Sequence, residues 1–473
     1  MQRTVANCAP AVVLAIALAA AGCSSLVPDV LDSAPPAGAV GHVQGFLGGV
    51  VADEPRAVLL ARDVLSAGGN AADAAVALGF ALSVTYPSRA GLGAGGACLV
   101  HTADPRAPGG GGVDALLFTS VPPANAAGAD RPAAVPMLAR GLFALHARYG
   151  RQPFESLISP AEQLARFGAP ASRAFIRDLG VVAGPLQADP GAAAAFYRNG
   201  RPVAEGMPVL QPELAATLAQ LRQAGVGDLY QGLLAHRLED TARQAGAGLT
   251  LADLRGALPR VVAPLNLPVG DDTAAFLPLP ADGGVAAAAA FQVLDADPGA
   301  LDAAGARALA VAARLRQGGA DAQSVLATKD LPPGSLPALP ASTSFATLDQ
   351  DGNAVVCAVS MNNLFGTGRM APGTGVLLAA SPAWLPPPLL AAALVYNPNQ
   401  HAFRAAVGGS GQAGAPLAAA AALAQALADQ AFPPAPMPRP VSDPGRANVI
   451  ECNRYLPSQE GSCGWATDPR GAG

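Results

Sequence analysis

The chain has 473 residues, of which 51% are apolar, 5% aromatic and 13% charged. That composition supplies a large buried core and excludes a collagen, a wholly disordered chain or a small disulfide scaffold. The 29 Lys and Arg against 34 Asp and Glu leave a net charge of −5, and Lys329 is the single lysine, so a broadly basic surface is excluded and no nucleic-acid partner is expected.

Arg3 is the only charge before an apolar run from Ala9 to Gly22, which stops at Cys23-Ser24-Ser25. A short cationic start, an apolar stretch too short to span a membrane and small residues at the exit have the form of an export signal. The ending Leu18-Ala19-Ala20-Ala21-Gly22-Cys23 resembles a bacterial lipoprotein signal, which implies acylation of Cys23. The plainer alternative is a cleaved signal that happens to contain a cysteine. On the lipoprotein reading, residues 1–22 are the signal and 23–45, rich in Ala, Pro and Gly, are a tether. The expected location is the bacterial cell envelope, with a lipid anchor in the membrane and the protein facing the periplasm. Ser24 stands where Asp signals inner-membrane retention, which favours the outer membrane.

Val58, Leu59, Val64 and Leu65 recur at helical spacing, Pro55 suits a first turn and Gly68-Gly69 supplies a stop, so a helix is predicted from Pro55 to Ala67. Asn70 caps a second helix, Ala71 to about Val84, whose near absence of charge predicts burial against a sheet. The run Gly91-Leu92-Gly93-Ala94-Gly95-Gly96 precedes a strand, Ala97 to His101, not a helix, and lacks the Lys-Ser/Thr of a phosphate loop. Residues 114–119 form the second strand of a hairpin with it. Helices are predicted between Gly141 and Phe175, with breaks at Gly150, Pro160 and Gly168, and over 211–224, 229–244 and 251–258. A Pro-rich stretch, Leu331 to Pro340, separates these elements from a β-rich C-terminal part.

Residues Ala341 to Asp349 alternate like a strand, Gln350-Asp351-Gly352 turn, and Asn353 to Ser360 run back. A three-residue loop ending in Gly fits a type I turn with a left-handed Gly bulge, pairing Asp349 with Asn353. Counted outward from that pair, Ser342 falls opposite Ser360, with Cβ atoms about 5 Å apart. A slip of one residue would seat Thr343 or Ser344 there instead. A hydroxyl at the first residue of a strand, after a Pro-rich lead, suits an N-terminal nucleophile. Cleavage of Ala341–Ser342 would free an α-amino group with a pKa near 8 to serve as its general base.

Cys452 and Cys463 bracket a short polar segment and suit a disulfide in an oxidising compartment. Cys98 and Cys357 lie in apolar runs and are read as small core residues. The five histidines show no ligand spacing, so neither a metal nor another cofactor is expected.

Three segments together resemble the gamma-glutamyltransferase family of N-terminal nucleophile (Ntn) hydrolases. They are Gly68-Gly69-Asn70-Ala71-Ala72-Asp73-Ala74-Ala75 with Gly93-Ala94-Gly95-Gly96, Tyr149-Gly150 through Phe167-Gly168, and Asp351-Gly352-Asn353-Ala354-Val355 with Phe365-Gly366-Thr367-Gly368. The resemblance runs, with gaps, from about residue 47 to Asp468-Pro469-Arg470. It implies an α+β fold, the Ntn-hydrolase αββα sandwich of two stacked central β-sheets flanked by helices. It also implies a precursor that cuts itself into a heterodimer, with residues 46–341 as the large part and 342–473 as the small part of one joint fold. The family's nucleophilic Thr falls on Ser342 and its supporting Thr on Ser360. Thr343 and Asn362 match further motif positions, and the oxyanion region falls near Gly408-Gly409-Ser410-Gly411, which places Gly409 and Ser410 among the catalytic residues. Substrate contacts are carried over to Asn362, Thr343, Thr119 and Ser381. The glutamyl-binding charges are replaced: the family's Arg falls on Thr119, its acidic residue on Trp384 and its Ser-Ser pair near Leu390-Ala391. Arg89 or Arg369 is a substitute for the missing Arg.

The reading that follows is an exported amidohydrolase or acyltransferase of the glutathione hydrolase type, self-cleaved before Ser342 and acting on a small-molecule amide or peptide. One rival is a noncatalytic envelope lipoprotein that keeps the scaffold as a binding or structural module. Another is an acylase for a less polar acyl group, which Trp384 and Leu390 would suit.

Overall fold

The computed structural model describes residues 46–336, 342–431 and 444–471, together with 434, 436, 441 and 442. The expected export signal and tether, Cys23 and Ala341 lie outside the described residues.

The first strand, β1 (Gly48–Ala52), leads into α1 (Pro55–Ser66) and α2 (Ala71–Thr85). Helix α1 starts where its sequence dictates: the Glu54 carboxylate accepts from Ala57 N at 2.8 Å and Pro55 opens the first turn. Asn70 and Asp73 form a reciprocal capping box at α2, and every residue of that helix is buried. The hairpin β2 (Gly95–His101) and β3 (Val113–Phe118) follows, then a run of helices between Leu138 and Gly256.

Pro160 lies inside the helix Phe154–Phe167, contrary to the expected break. An interior proline costs roughly 3 kcal/mol, and burial of Leu157, Ile158, Ala161 and Ala165 around it opposes that cost. The expected 229–244 helix is interrupted at Gly232, giving Asp228–Gln231 and Leu233–Gln244.

Three strands, β4 (Arg260–Val262), β5 (Leu265–Val269) and β6 (Asp272–Phe276), precede helices α3 (Asp282–Ala296) and α4 (Leu301–Arg316). After the Pro-rich lead come β7 (Ser342–Asp349), β8 (Ala354–Ser360), β9 (Ala391–Asn397), β10 (Ala402–Ser410), α5 (Ala415–Ala428), β11 (Arg446–Leu456) and β12 (Cys463–Thr467). The first large sheet has the order β1-β7-β8-β2-β3-β4 and the second β12-β11-β10-β9-β6-β5. Residues from both sides of position 341 build each sheet.

Alternation decides the layers. Cys98, Val100, Val355 and Cys357 face α1, α2 and the other N-terminal helices, whereas Ala97, Leu99, Ala354 and Val356 meet Leu394, Ala406 and Ile450 of the second sheet. The far face of the second sheet is covered by α3, α4 and α5, whose alanines pack on Ala393, Val395 and Val407. Helix, sheet, sheet and helix make an αββα sandwich. Small residues permit the closest approach: a Cβ on Gly284 would lie 2.1 Å from Leu277 O, and one on Gly283 2.5 Å from the Leu389 carbonyl carbon.

Cys452 and Cys463 form the expected disulfide. Cys98 and Cys357 are buried as expected, but they are bonded to each other and are not free core thiols. The correction arises from strand pairing between positions far apart in the chain, which sets Cys357 directly opposite Cys98.

Candidate active site

The β7–β8 hairpin adopts the predicted register, with Ser342 opposite Ser360 and Leu348 opposite Ala354. Asp349 N donates to Asn353 O at 3.0 Å, and Gly352 takes the left-handed φ of 85° that the bulge requires. Ser360 is in turn opposite Gly95 of β2. The next strand pairs Gly96 with Phe118, so Thr119 follows at the same end of the sheet. A side chain at Gly95 would place its Cβ 2.5 Å from Ser120 N, which explains why the narrow end of this row carries glycine.

Ser342, Thr343, Ser344, Ser360 and Ser410 are all fully buried. The Ser342 hydroxyl donates to Gly411 O. Its own carbonyl accepts from Arg89 Nη1 at 2.9 Å and from Gly411 N at 3.1 Å. Arg89 is held in turn by Asp178 through paired bonds, Nε to Oδ2 at 2.7 Å and Nη2 to Oδ1 at 2.8 Å, and Ser88 Oγ donates to the same carboxylate at 2.8 Å. Burial works against the guanidinium charge, but Asp178 outweighs it and leaves the Arg89 pKa above its ordinary value.

A second cluster lies against the first. Asp53, immediately after β1, accepts from Thr343 Oγ1 at 2.6 Å and Ser410 Oγ at 2.5 Å through Oδ2, and from Asn448 Nδ2 at 3.1 Å through Oδ1. Ser410 Oγ also accepts from Ser344 N at 3.0 Å and lies 2.9 Å from Ser344 Oγ. This network spans the two sheets. Ser410 is therefore tied by its hydroxyl to Asp53, and Gly409 lies within the β10 ladder, paired to Ala391 and Ala447. The main chain that abuts Ser342 is that of Gly411, the last residue of the expected Gly408–Gly411 region, because the strand turns out of its ladder only after Ser410.

On the other flank, Asn362 N donates to Ser360 Oγ at 2.8 Å and Asn362 Nδ2 to Ala380 O at 2.7 Å. Asn362 adopts a left-handed φ of 64°, which Asn tolerates better than most residues. Its Oδ1 is buried without a hydrogen-bond partner. Ser381, next to Ala380, is fully buried and its Oγ accepts from Ala383 N at 3.3 Å. Thr119 is half-buried, Trp384 is half-exposed, and Leu390 is buried between the sheets.

Of the two substitutes for the missing Arg, Arg89 is committed to Asp178 and Ser342. Arg369 is committed to Asp130 Oδ2 at 2.6 Å and Ala245 O at 2.8 Å. A third guanidinium occupies the region instead. Arg446 is directly opposite Ser410 in the β10–β11 ladder, so both side chains project from the same face. It is 3% exposed, and its Nε and Nη1 have no hydrogen-bond partner. The buried Tyr86 hydroxyl is also unpartnered, and its ring lies 5.6 Å from the Arg89 guanidinium carbon. Burial raises the Tyr86 pKa above its ordinary value, with Arg89 and Arg446 acting in the opposite direction.

Asp53, Asp178, Arg446 and Tyr86 escaped the sequence reading because no spacing connects them to Ser342. The doublet before Pro55 and the lone Arg before a long strand had no local signal of their own. Among the described residues, no group of three or more His, Cys, Asp or Glu side chains could hold a metal ion.

The chain is 27% identical over 383 residues to glutathione hydrolase 3 of Arabidopsis thaliana, across 71% of this chain and 60% of that protein. It is 26% identical over 413 residues to the glutathione hydrolase proenzyme of Escherichia coli strain K12, across 73% and 70%. The chain thus spans 60% of the plant relative's length and 70% of the bacterial one's. In fold it resembles a cephalosporin acylase from Bacillus halodurans, with a TM-score of 0.72 and 19% identity over 90% of this chain and 94% of that one. The gamma-glutamyltranspeptidase from Helicobacter pylori gives a TM-score of 0.52 and 22% identity over 60% and 92%. The sequence pattern that describes the gamma-glutamyltranspeptidase family matches residues 57–312, more than half of the chain, and the chain belongs to that family.

Proposed function

We propose that the protein is a self-activating amide hydrolase or acyltransferase in which Ser342 is the nucleophile. The observation that carries this reading is the placement of Ser342 at the head of β7, opposite Ser360, with its carbonyl clamped by Arg89 and Gly411 N.

In activation, Ser342 Oγ attacks the carbonyl carbon of Ala341 and the Ser342 nitrogen leaves as an amine, so the peptide becomes an ester. Water then hydrolyses the ester, leaving a carboxylate on Ala341 and a free hydroxyl and α-amino group on Ser342. That amine takes the hydroxyl proton when a substrate amide is attacked. Ser360 orients the nucleophile, fixed by Asn362 N. The remaining Asn362 acceptor, Oδ1, meets a substrate N–H.

Two relatives are glutathione hydrolases, and one of them is a proenzyme. The same class of acyl donor fits here despite Thr119 and Trp384. Arg446 supplies a buried guanidinium whose charge already acts on Asp468 and whose Nε and Nη1 are open donors that an anionic group could satisfy. An acyl group that carries a carboxylate is therefore favoured over a fully apolar one. Export, acylation of Cys23 and a periplasm-facing position complete the reading, supported by the N-terminal signal pattern and by two disulfides that suit an oxidising compartment. A noncatalytic binding role has one observation in its favour, the complete burial of Ser342 with its hydroxyl engaged by Gly411 O.

Intact masses measured under reducing, denaturing conditions decide between them. The protein without its signal yields two fragments that meet at Ala341–Ser342, and the Ser342→Ala variant stays whole. Hydrolysis of gamma-glutamyl and glutaryl anilides falls by on the order of 10³-fold or more in that variant. A folded wild type that remains uncut and inactive on both anilides would leave the noncatalytic role.

A further inference from the structure

The Cys98–Cys357 disulfide connects two parts of the chain that the proposed cut separates. Cys98 lies in β2 and Cys357 in β8, 259 positions apart, and Ser342 falls between them. The two residues are directly opposed in the β8–β2 ladder, three positions from Gly95 and Ser360 respectively. Both are fully buried. Cys452–Cys463, in contrast, lies wholly after the cut and closes a local hairpin. Among the described residues, Cys98–Cys357 is the disulfide that crosses position 341.

We propose that this disulfide keeps the two products of self-cleavage as one covalent molecule, an inference that rests on the cleavage reading above. The sheet order explains what the link does. In the first sheet, β7 and β8 come from after the cut and are flanked by β1 on one side and β2 on the other, both from before it. In the second sheet, β9 from after the cut pairs with β6 from before it. Cleavage turns these three seams from contacts within one chain into contacts between two. Dissociation would then gain the translational and rotational freedom that a single chain denies it. The disulfide restores the intramolecular condition at the seam nearest Ser342 and Ser360, so unfolded fragments stay at high effective concentration.

Formation of the bond removes two electrons and two protons from the two thiols. A disulfide-bearing oxidant, either a protein or a small molecule, accepts them by thiol–disulfide exchange and leaves as the dithiol. Because both sulfurs are buried in the middle of a sheet, a reductant reaches them only after that sheet opens.

The test uses the full chain produced in an oxidising compartment, with free thiols alkylated and intact masses recorded in denaturant before and after reduction. Before reduction, the expected species is a single one whose mass is that of the uncut mature chain plus one water. After reduction it resolves into two fragments. Dithiothreitol without denaturant leaves the link in place. The double variant Cys98→Ala with Cys357→Ala separates into two fragments without any reductant, and its recovery from denaturant becomes dependent on protein concentration. Two free fragments from the wild type before reduction, with Cys98 and Cys357 both alkylated, overturn the proposal even though cleavage has occurred. A single mass lacking the added water overturns it through failure of the cleavage reading, and peptide mapping then shows separately whether Cys98 and Cys357 are bonded. If the double variant does not fold, the wild-type masses alone decide.

Discussion

The β7–β8 hairpin carries a buried polar cluster at each end, and the two clusters are satisfied to different degrees. At the turn, Asp349 accepts from Asp351 N, Asn353 N and the Asn353 side chain, and its Oδ2 accepts from Ala71 N at the start of α2 at 3.0 Å. Thr347 Oγ1 donates back to Ala71 O at 2.7 Å. That end is closed: its oxygens have partners and it anchors the hairpin to a helix. At the open end, Ser342, Ser360, Asp53 and Ser410 are as deeply buried, yet Arg446 Nε and Nη1, Tyr86 Oη and Asn362 Oδ1 remain without partners. Burial alone does not distinguish structure from chemistry. Unpartnered groups are buried elsewhere too, His101 Nε2 beside the turn among them, but at the open end four of them belong to three side chains around Ser342 and Ser410, where a ligand could satisfy them together.

The comparison breaks most forcefully at the Arg89–Asp178 pair, which belongs to the open end but is saturated. Arg89→Leu strands the Asp178 carboxylate in the core and frees the Ser342 carbonyl. Unfolding in denaturant should show a loss of about 3–5 kcal/mol, and mass analysis should show no cleavage at Ser342. A variant that is as stable as wild type and still cut would remove the clamp from the mechanism.

At the turn, Asp349→Ala leaves several donors without an acceptor and should cost about 1–3 kcal/mol, while the cut chain keeps its activity per folded molecule. Loss of activity in a fully folded sample would show that the two ends are coupled. Arg446→Gln should do the opposite. It removes two buried donors that lack partners but also the charge that acts on Asp468, so stability should change by no more than about 1 kcal/mol, while KM for a glutaryl anilide rises at least about tenfold, equivalent to about 1.4 kcal/mol. Equal kinetics for wild type and variant would deny Arg446 its role.

The smallest effect is confined to pH and calibrates both ends. Glu451 is buried at neither of them, and burial first, then Asp429, push its carboxyl up to about 8, against a smaller opposing effect of Arg404. A carboxyl with a folded pKa above its unfolded one favours the fold fully below about 4.5, and that contribution is lost as pH rises through about 8. Thermal midpoints should therefore decline between those limits, and Glu451→Gln should flatten the decline. A slope unchanged by the substitution would assign it to another group.

Much of the hairpin was legible because its determinants are local. Alternation set the strands, Gly352 set the bulge, and a period of exactly two carried the register from Asp349 out to Ser342 and Ser360. The capping box at Asn70 was readable for the same reason. Helices α3 and α5 were not, since runs such as Val285 to Ala290 and Ala418 to Ala422 are apolar on every side and carry no periodicity. Cys98 and Cys357 are core residues, as their apolar runs imply, but nothing local announces that each has a partner 259 positions away.

By itself the sequence determined the first two helices, the β7–β8 hairpin and the family resemblance, all of which depend on residues within a few turns or on motifs kept in order. Only the tertiary structure decided which charges surround Ser342. Asp53 arrives from the end of β1, Arg89 from beyond α2, Asp178 from a helix that packs on it, and Arg446 from the strand beside Ser410. Their proximity is a property of two stacked sheets, and electrostatic interaction depends on distance in space and on burial, neither of which the order of residues along the chain records.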